Sequence, residues 1–444
     1  MNILYLYNST QTYTNTVFEH ISSFGEYSRH RSYYSHLDEF TEFNVDLSCI
    51  HAIAIHYSVR LPFDQISPSA AKALSAYPGL KFLFIQDEYD HVHRAWHWIK
   101  TLGLQLVFTV VPNAGVERIY PVREFSGTRF VSNLTGYVPG ELRLNQCIKA
   151  PSQRRLIIGY RGRPLPVRYG QLGMEKIGVG KLFKDYCDAR QIMNDIAWTE
   201  ESRIYGPGWY EFMVSCRSML GSESGSNVFD WDGALINRIA QFRKLNPKAG
   251  DDEIYERFVK TEEIHGIMNQ VSPRIFEAIA AKTVLVLFEG GYSGVVKAGD
   301  HFIPVKKDGS NLAEVMRLLQ DGAYVDAMAE RAYQDVIVSG KYSYQSFVRL
   351  VDEEIEVSLK TLDQHKNEIV LNSADRLHTD TLTSVTASPI RAKPPQKLTL
   401  FQTIFGSHGF KDLPIRVAVY FWQKLPKSVR LFLKPKLKHL FGKG

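Results

Sequence analysis

Apolar residues in this chain fall into short continuous runs separated by stretches of helical spacing. Residues 2–7, 50–56, 81–85 and 104–111 read as strands buried on both faces. Between them, residues 16–24, 69–76 and 92–102 carry apolar positions at helical intervals. A second series starts near Ala150, with a strand at 155–159 and helices at 175–188, 209–217 and 251–260. Strands at 284–288 and 301–305 follow, then helices at 311–321, 325–338 and 347–361. Alternation of this kind predicts parallel sheets joined by helical crossovers. The expected fold class is α/β, with two Rossmann-like domains facing across a cleft. Residues 1–149 form the first domain and 150–362 the second.

The most informative stretch is 271–294. Ser272 suits a helix cap and Pro273 the first helical position, where its missing N–H is no loss. Ile275, Phe276, Ile279 and Ala280 share one face, and Val284–Phe288 is a strand that ends in Gly290-Gly291-Tyr292. A Gly-rich turn at a strand's carboxyl end is where ligands bind in open α/β sheets. Glu277 lies in the helix's opening turns. Its carboxylate can accept both hydroxyls of a ribose, or it can simply favour the helix dipole.

Other strand ends carry polar groups on the same kind of edge. His56-Tyr57-Ser58 and Gln86-Asp87-Glu88 supply His56, Asp87 and Glu88 as candidate bases. A hydrogen-bonded structural His and helix-capping carboxylates are the plainer readings. Arg161, Gly162 and Arg163 form a turn whose guanidinium groups suit a pyrophosphate, though surface charges look the same in sequence. Gly178-Val-Gly180-Lys181 lacks the spacing and hydroxyl of a phosphate loop. Asp230-Trp-Asp232 has a metal-binding spacing that loops also show often, and His91, His93 and His97 lack the Glu of a zinc protease helix. No metal is expected.

Composition narrows the class. The chain has 444 residues, 44% hydrophobic and 23% charged, as in ordinary globular proteins. Four scattered cysteines show no zinc or disulfide spacing and fit a reducing compartment. The start lacks the basic and apolar regions of a signal peptide, and no run reaches a membrane span. A cytoplasmic protein is expected.

The net charge of +6 is concentrated at the end. Residues 363–395 are polar and read as a flexible linker. Residues 396–444 mix Lys411, Arg416, Lys424, Lys427, Arg430, Lys434, Lys436 and Lys438 with Phe401, Phe405, Tyr420, Phe421, Trp422 and Phe432, against Asp412 as sole acid. Such a basic amphipathic tail suits an anionic membrane surface. A packed helical module and nucleic-acid binding are the competing readings, of which nucleic acid is the less favoured.

Several motifs together carry a resemblance: His56-Tyr-Ser, Gln86-Asp-Glu-Tyr89, Gly159-Tyr-Arg-Gly-Arg-Pro164, Met219-Leu-Gly-Ser-Glu-Ser-Gly-Ser226 and Arg274-Ile-Phe-Glu-Ala278. With these, residues 1–357 resemble group-1-type glycosyltransferases with the GT-B fold, in a bacterial polysaccharide-biosynthesis subgroup. The resemblance implies sugar transfer from a nucleotide-sugar donor to a glycan or lipid-linked acceptor, with no cofactor beyond that substrate. Retention of configuration and metal independence are implied too. Donor binding would fall to Arg161, Gly162, Arg163, Ser272, Arg274, Glu277, Gly290, Gly291 and Tyr292.

The family usually has two Glu separated by seven residues. Counting back from Glu277 gives Asn269 instead. Our reading is that Glu223 is the displaced first Glu, meeting the donor sugar, with residues 230–268 inserted between the two halves of the motif. The competing hypotheses are a non-catalytic scaffold of the same fold and, less favoured, an epimerase or phosphorylase.

Overall fold

The computed structural model describes residues 1–140, 148–365 and 385–393, the last three of the helix ending at His365 by backbone alone. The first half runs β1 (Asn2–Tyr7), α1 (Asn15–Tyr27), β2 (Arg31–His36), β3 (Ala52–Ile55), α2 (Pro68–Ala76), β4 (Leu80–Ile85), α3 (Val92–Leu102), β5 (Leu106–Thr109), α4 (Asn113–Ile119) and β6 (Arg129–Ser132). The second half opens with β7 (Leu156–Arg161), α5 (Gly170–Asp188), β8 (Asn194–Ala197), α6 (Pro207–Ser215), β9 (Cys216–Gly221), α7 (Ala234–Leu245) and α8 (Asp251–Ile254). It closes with α9 (Pro273–Ala280), β10 (Val284–Phe288), β11 (Phe302–Val305), α10 (Leu312–Gln320), α11 (Gly322–Ala332) and α12 (Tyr344–His365).

Both sheets are parallel throughout. The first has the order β2-β1-β3-β4-β5-β6 and the second β11-β10-β9-β7-β8. The central strands β1, β3, β4, β5 and β10 are buried along their whole length, as their continuous apolar runs require. This is the two-sheet α/β architecture expected from the alternating pattern.

The strands absent from the sequence reading have two causes. β2, β6 and β8 lie at sheet edges, where one side faces solvent and polar residues are tolerated, so no apolar run marks them. β9 is central, but α6 ends at Ser215 and β9 begins at Cys216 without a loop. The helix expected over 209–217 therefore ends inside the strand's first residues. The helix expected over 251–260 keeps only α8 before a wider turn at Tyr255–Val259.

The final helix crosses back to the first sheet. Phe347 of α12 is buried and its ring contacts those of His20, Phe24, Phe84 and Tyr137, stacking on Tyr137 at 4.4 Å. Val348, Val351 and Ile355 continue that buried face. Met1–Lys393 is accordingly one compact unit.

Part of the expected linker is ordered against the first half. Thr386 pairs with Tyr34 in both directions (2.9 and 2.8 Å), and the backbone N–H of Ile390 donates to Tyr7 Oη at 2.8 Å. The hydroxyl of Thr12 donates to the Ile390 carbonyl and accepts from the N–H of Ala392, both at 2.8 Å. The basic tail, 396–444, lies outside the described residues.

Replacing Phe347 with Ala should cost about 3–5 kcal/mol, as for other large aromatic truncations in cores. Chemical denaturation of the variant against the native chain measures this. A loss near zero would show that α12 does not anchor the two halves.

Candidate functional site

The carboxyl ends of β7, β9 and β10 and the start of α9 meet at one edge of the second sheet. Ser272 occupies the cap position of α9, with extended backbone, but its side chain accepts no helix N–H. Pro273 follows it, with no N–H to leave unpaired, and the first turn of the helix borders a cavity.

That cavity, of ≈420 Å³, is walled by Arg161, Gly162, Arg163, Trp209, Ser272, Arg274 and Glu277 from the second half and by Tyr13–Thr16 from the first. A smaller one of ≈210 Å³ shares Arg163, Ser272 and Arg274 and adds Lys176 and Ser222. Arg163 and Arg274 thus border both cavities and Lys176 the smaller one, whose walls carry no acidic residue among the described residues. Arg163 is exposed and makes no hydrogen bond or ion pair among the described residues. Arg274 lies 5.6 Å over the Tyr160 ring and 5.3 Å over Trp209.

Burial, and after it the charge of Arg274, pushes the Lys176 ammonium down to about 8. Its Nζ donates to the Glu223 carbonyl at 3.1 Å and to Ser224 Oγ at 3.0 Å. Glu277 accepts from Trp209 Nε1 at 2.8 Å. Burial raises its carboxyl above the ordinary value, while Trp209 and Arg274 pull the other way.

Glu223 is buried just past β9. Its Oε1 accepts the backbone N–H of Tyr292 (2.8 Å) and of Gly291 (3.1 Å), and its Oε2 accepts Asn269 Nδ2 at 2.5 Å. A Cβ on Gly290 would stand 2.7 Å from this carboxyl group, so a side chain there would push the carboxylate off its donors. Tyr292 and Ser293 both adopt left-handed backbone to aim their neighbours' N–H groups inward. Tyr292 itself is buried, its hydroxyl bonded to the Phe288 carbonyl at 2.7 Å.

Asn269, the residue standing where the resemblance calls for a Glu, is therefore in direct contact with Glu223. The chain between them is closed at its base. Ser224 and Gln270 exchange both backbone hydrogen bonds, at 2.7 and 2.9 Å. The excursion then docks on the first half, where Trp231 O accepts from His93 N at 2.8 Å and Tyr89 O from Asp230 N at 2.8 Å.

Other expected roles are corrected by the geometry. Arg161 is held by protein groups: Nε donates to Ser202 O, Nη1 to Tyr160 O and Asp195 O, and Nη2 to Asp195 Oδ2 at 2.8 Å. Four of its five N–H groups are thereby taken, leaving little for a phosphate. His56 is fully buried, with Nδ1 on Ser58 Oγ at 2.9 Å and Nε2 on His20 Nδ1 at 3.0 Å, so neither nitrogen can reach an acceptor.

Glu88 is buried too. It accepts Thr109 Oγ1, the N–H of Val110 and the hydroxyl of Tyr120. Asp87 remains over half exposed, bonded to Tyr89 Oη at 2.6 Å, and lines neither cavity. Asp230 and Asp232 accept N–H groups at the start of α7. His93 packs on Trp96 and Trp231.

Sequence reasoning missed Lys176, Trp209, Asn269 and the loop Tyr13–Thr16. A helical Lys after a Glu looks solvated in sequence, and only the approach of β9 to α5 turns it inward. Asn269 carried a signal, since it occupied the family's first acidic position.

Burial raises the Glu88 carboxyl from its ordinary 4.5 to about 7. A raised folded-state value means that its contribution is fully present below the ordinary value and is lost as pH rises through about 7. Against Glu88→Gln, native stability should fall by up to about 1.4 kcal/mol per pH unit over that window. Denaturant midpoints of both proteins across pH test this; parallel curves would refute it.

No family model matches the chain, and no curated protein matches it. Among solved structures, an α-glucosyltransferase in complex with UDP and a 13-mer DNA is similar at 10% identity and a TM-score of 0.47, over 80% of this chain and 99% of that one. The T4 phage BGT in complex with its UDP-glucose substrate matches at 12% identity and 0.43, over 81% and 99%. HepE of Anabaena in complex with UDP matches at 11% and 0.43, over 81% and 100%. At such low identity the reading rests on this chain's own strand order and site geometry.

Proposed function

We propose that the chain is a glycosyltransferase that takes a sugar from a nucleoside-diphosphate donor. The observation that carries this is the convergence of Arg163, Lys176 and Arg274 on one space that opens beside Glu277 and the start of α9. In this reading the diphosphate lies against the cations and the helix N-terminus, where dipole and N–H groups favour anions. Glu277, oriented by Trp209, accepts the ribose hydroxyls. Glu223 holds the turn Gly290-Gly291-Tyr292 rigid where the donor sugar would sit.

As the glycosidic bond breaks, negative charge grows on the diphosphate. Fixed cations in a partly buried site stabilise that charge without reorganising, which is the work a metal ion would otherwise do. A strong base for the acceptor hydroxyl is lacking among the expected candidates, because His56 and Glu88 are buried and bonded. That favours a retaining transfer, with Asp87 the one exposed carboxylate left among them. The open cavities weigh against a scaffold whose cleft is filled.

No helix among the described residues is long and apolar enough to cross a membrane. The basic aromatic composition of 396–444 supports peripheral attachment to an anionic surface, close to a polysaccharide or glycolipid acceptor.

Thermal shift and titration calorimetry with UDP, GDP and ADP test the donor reading. One nucleoside diphosphate should bind. Lys176→Met and Arg274→Met should each weaken it about tenfold or more, as loss of a charge-assisted bond does. Glu277→Ala should weaken the nucleoside diphosphate but leave inorganic pyrophosphate unchanged. Affinity should also decline as pH rises through about 8, where Lys176 loses its proton. If no nucleotide stabilises the protein, the reading fails. For the tail, sedimentation with phosphatidylglycerol vesicles should drop on truncation after Lys393; unchanged binding would exclude it as the anchor.

A further inference from the structure

The ordered strap at 385–393 lies beyond residues 1–357, which carry the family resemblance, yet it holds a wall of the donor cavity. Ile390 and Ala392 are pinned to the Thr12 hydroxyl on either side of Arg391. Arg391 Nη2 then donates to Asn15 Oδ1, and its guanidinium lies 4.7 Å over the Phe18 ring. Asn15 belongs to Tyr13–Thr16, the first-half wall of the cavity that contains Trp209 and Glu277.

An arginine has donors only, so it fixes which end of the Asn15 amide is the oxygen. The amide nitrogen is left facing the other way, where Nδ2 donates to Tyr210 Oη at 3.2 Å. That bond crosses from the first half to α6 of the second. Tyr210 is buried and follows Trp209, whose Nε1 holds Glu277 at 2.8 Å. One chain of contacts thus runs from the strap through Asn15 and α6 to Glu277. Tyr13 adds a second crossing, its ring meeting that of Tyr205 edge-on at 6.3 Å.

Charge acts in the same direction. Glu19 lies one turn beyond Asn15 on α1. Burial and then the charge of Glu277 push its carboxyl up to about 7, while Arg391 pulls it down. Carboxylates from the two halves therefore repel across the seam, and Arg391 offsets that repulsion. Arg391 is itself exposed, so little of the global stability depends on it.

We infer that Arg391 is a positioning residue of the donor site: it orients the Asn15 amide toward Tyr210 and so latches the first-half wall of the cavity to the helix that carries Trp209. The inference rests on the glycosyltransferase reading above.

The test is titration calorimetry of the full chain with UDP, GDP and ADP, together with hydrogen exchange over residues 12–16 and 207–215 read by mass spectrometry. Arg391→Met should leave the denaturant midpoint unchanged and weaken the nucleotide that binds about fivefold, the worth of one hydrogen bond. Arg391→Lys, which still donates and keeps the charge, should recover most of that loss. Tyr210→Phe should weaken binding equally, and adding Arg391→Met to it should cost nothing more, because both variants break the same chain of contacts. Exchange over both segments should quicken in each variant except Arg391→Lys. Nucleotide affinity unmoved by Arg391→Met, no recovery with lysine, or losses that add in the double variant overturn the inference and leave the donor reading standing. If no nucleotide binds, the donor reading falls and exchange decides: quickened exchange leaves the latch standing, and unchanged exchange removes it as well.

Discussion

The carboxylate of Glu223 holds the site together. It is buried, and a buried carboxylate must be supplied with donors or it destabilises the fold. Here the donors are two backbone N–H groups after β10 and the amide of Asn269. One side chain therefore ties the end of β9 to the turn after β10 and to the return point of a long excursion. The conformation of Gly290-Gly291-Tyr292 follows from that need, as do the left-handed residues after it and the absence of a side chain at Gly290. The Ser224–Gln270 pairing closes the same junction through the backbone.

That closure brings Glu223 and Asn269, far apart in sequence, to one place. Two neighbouring positions of a ligand edge need only be adjacent in space. Because Ser224 and Gln270 lie side by side, the residues between them can loop away and pack on α3 and its neighbours through Phe229, Trp231, Ile267 and Met268. The excursion then adds buried apolar contact between the halves, which stabilises the cleft that Glu223 faces. The strap at 385–393 works similarly on the other wall: it bonds Thr12, next to the loop Tyr13–Thr16, and Asn15 within it.

Charge is distributed along the cleft by the same logic. Cations that face open space stay available to an anion, as with Arg163 and Arg274. Those that find carbonyl and carboxylate partners, as Arg161 does, become structural. Lys176 lies between these cases: it is bonded to the Glu223 carbonyl and Ser224 Oγ, and its burial weakens its hold on the proton.

The α/β class, the two halves and every central strand but β9 were legible in sequence, because strands buried on both faces need unbroken apolar runs. The edge strands were hidden by their polar residues, and β9 by its direct junction with α6. Local pattern also marked the carboxyl edge of the second sheet, with Glu277, Arg163 and the Gly290 turn on it. What each side chain does there depended on neighbours distant in sequence. Asp195 and Ser202 took Arg161, His20 took His56, and Tyr120 with Thr109 took Glu88. Residue type says which bonds a group can make. Only the tertiary structure decides which partners are near enough to make them first.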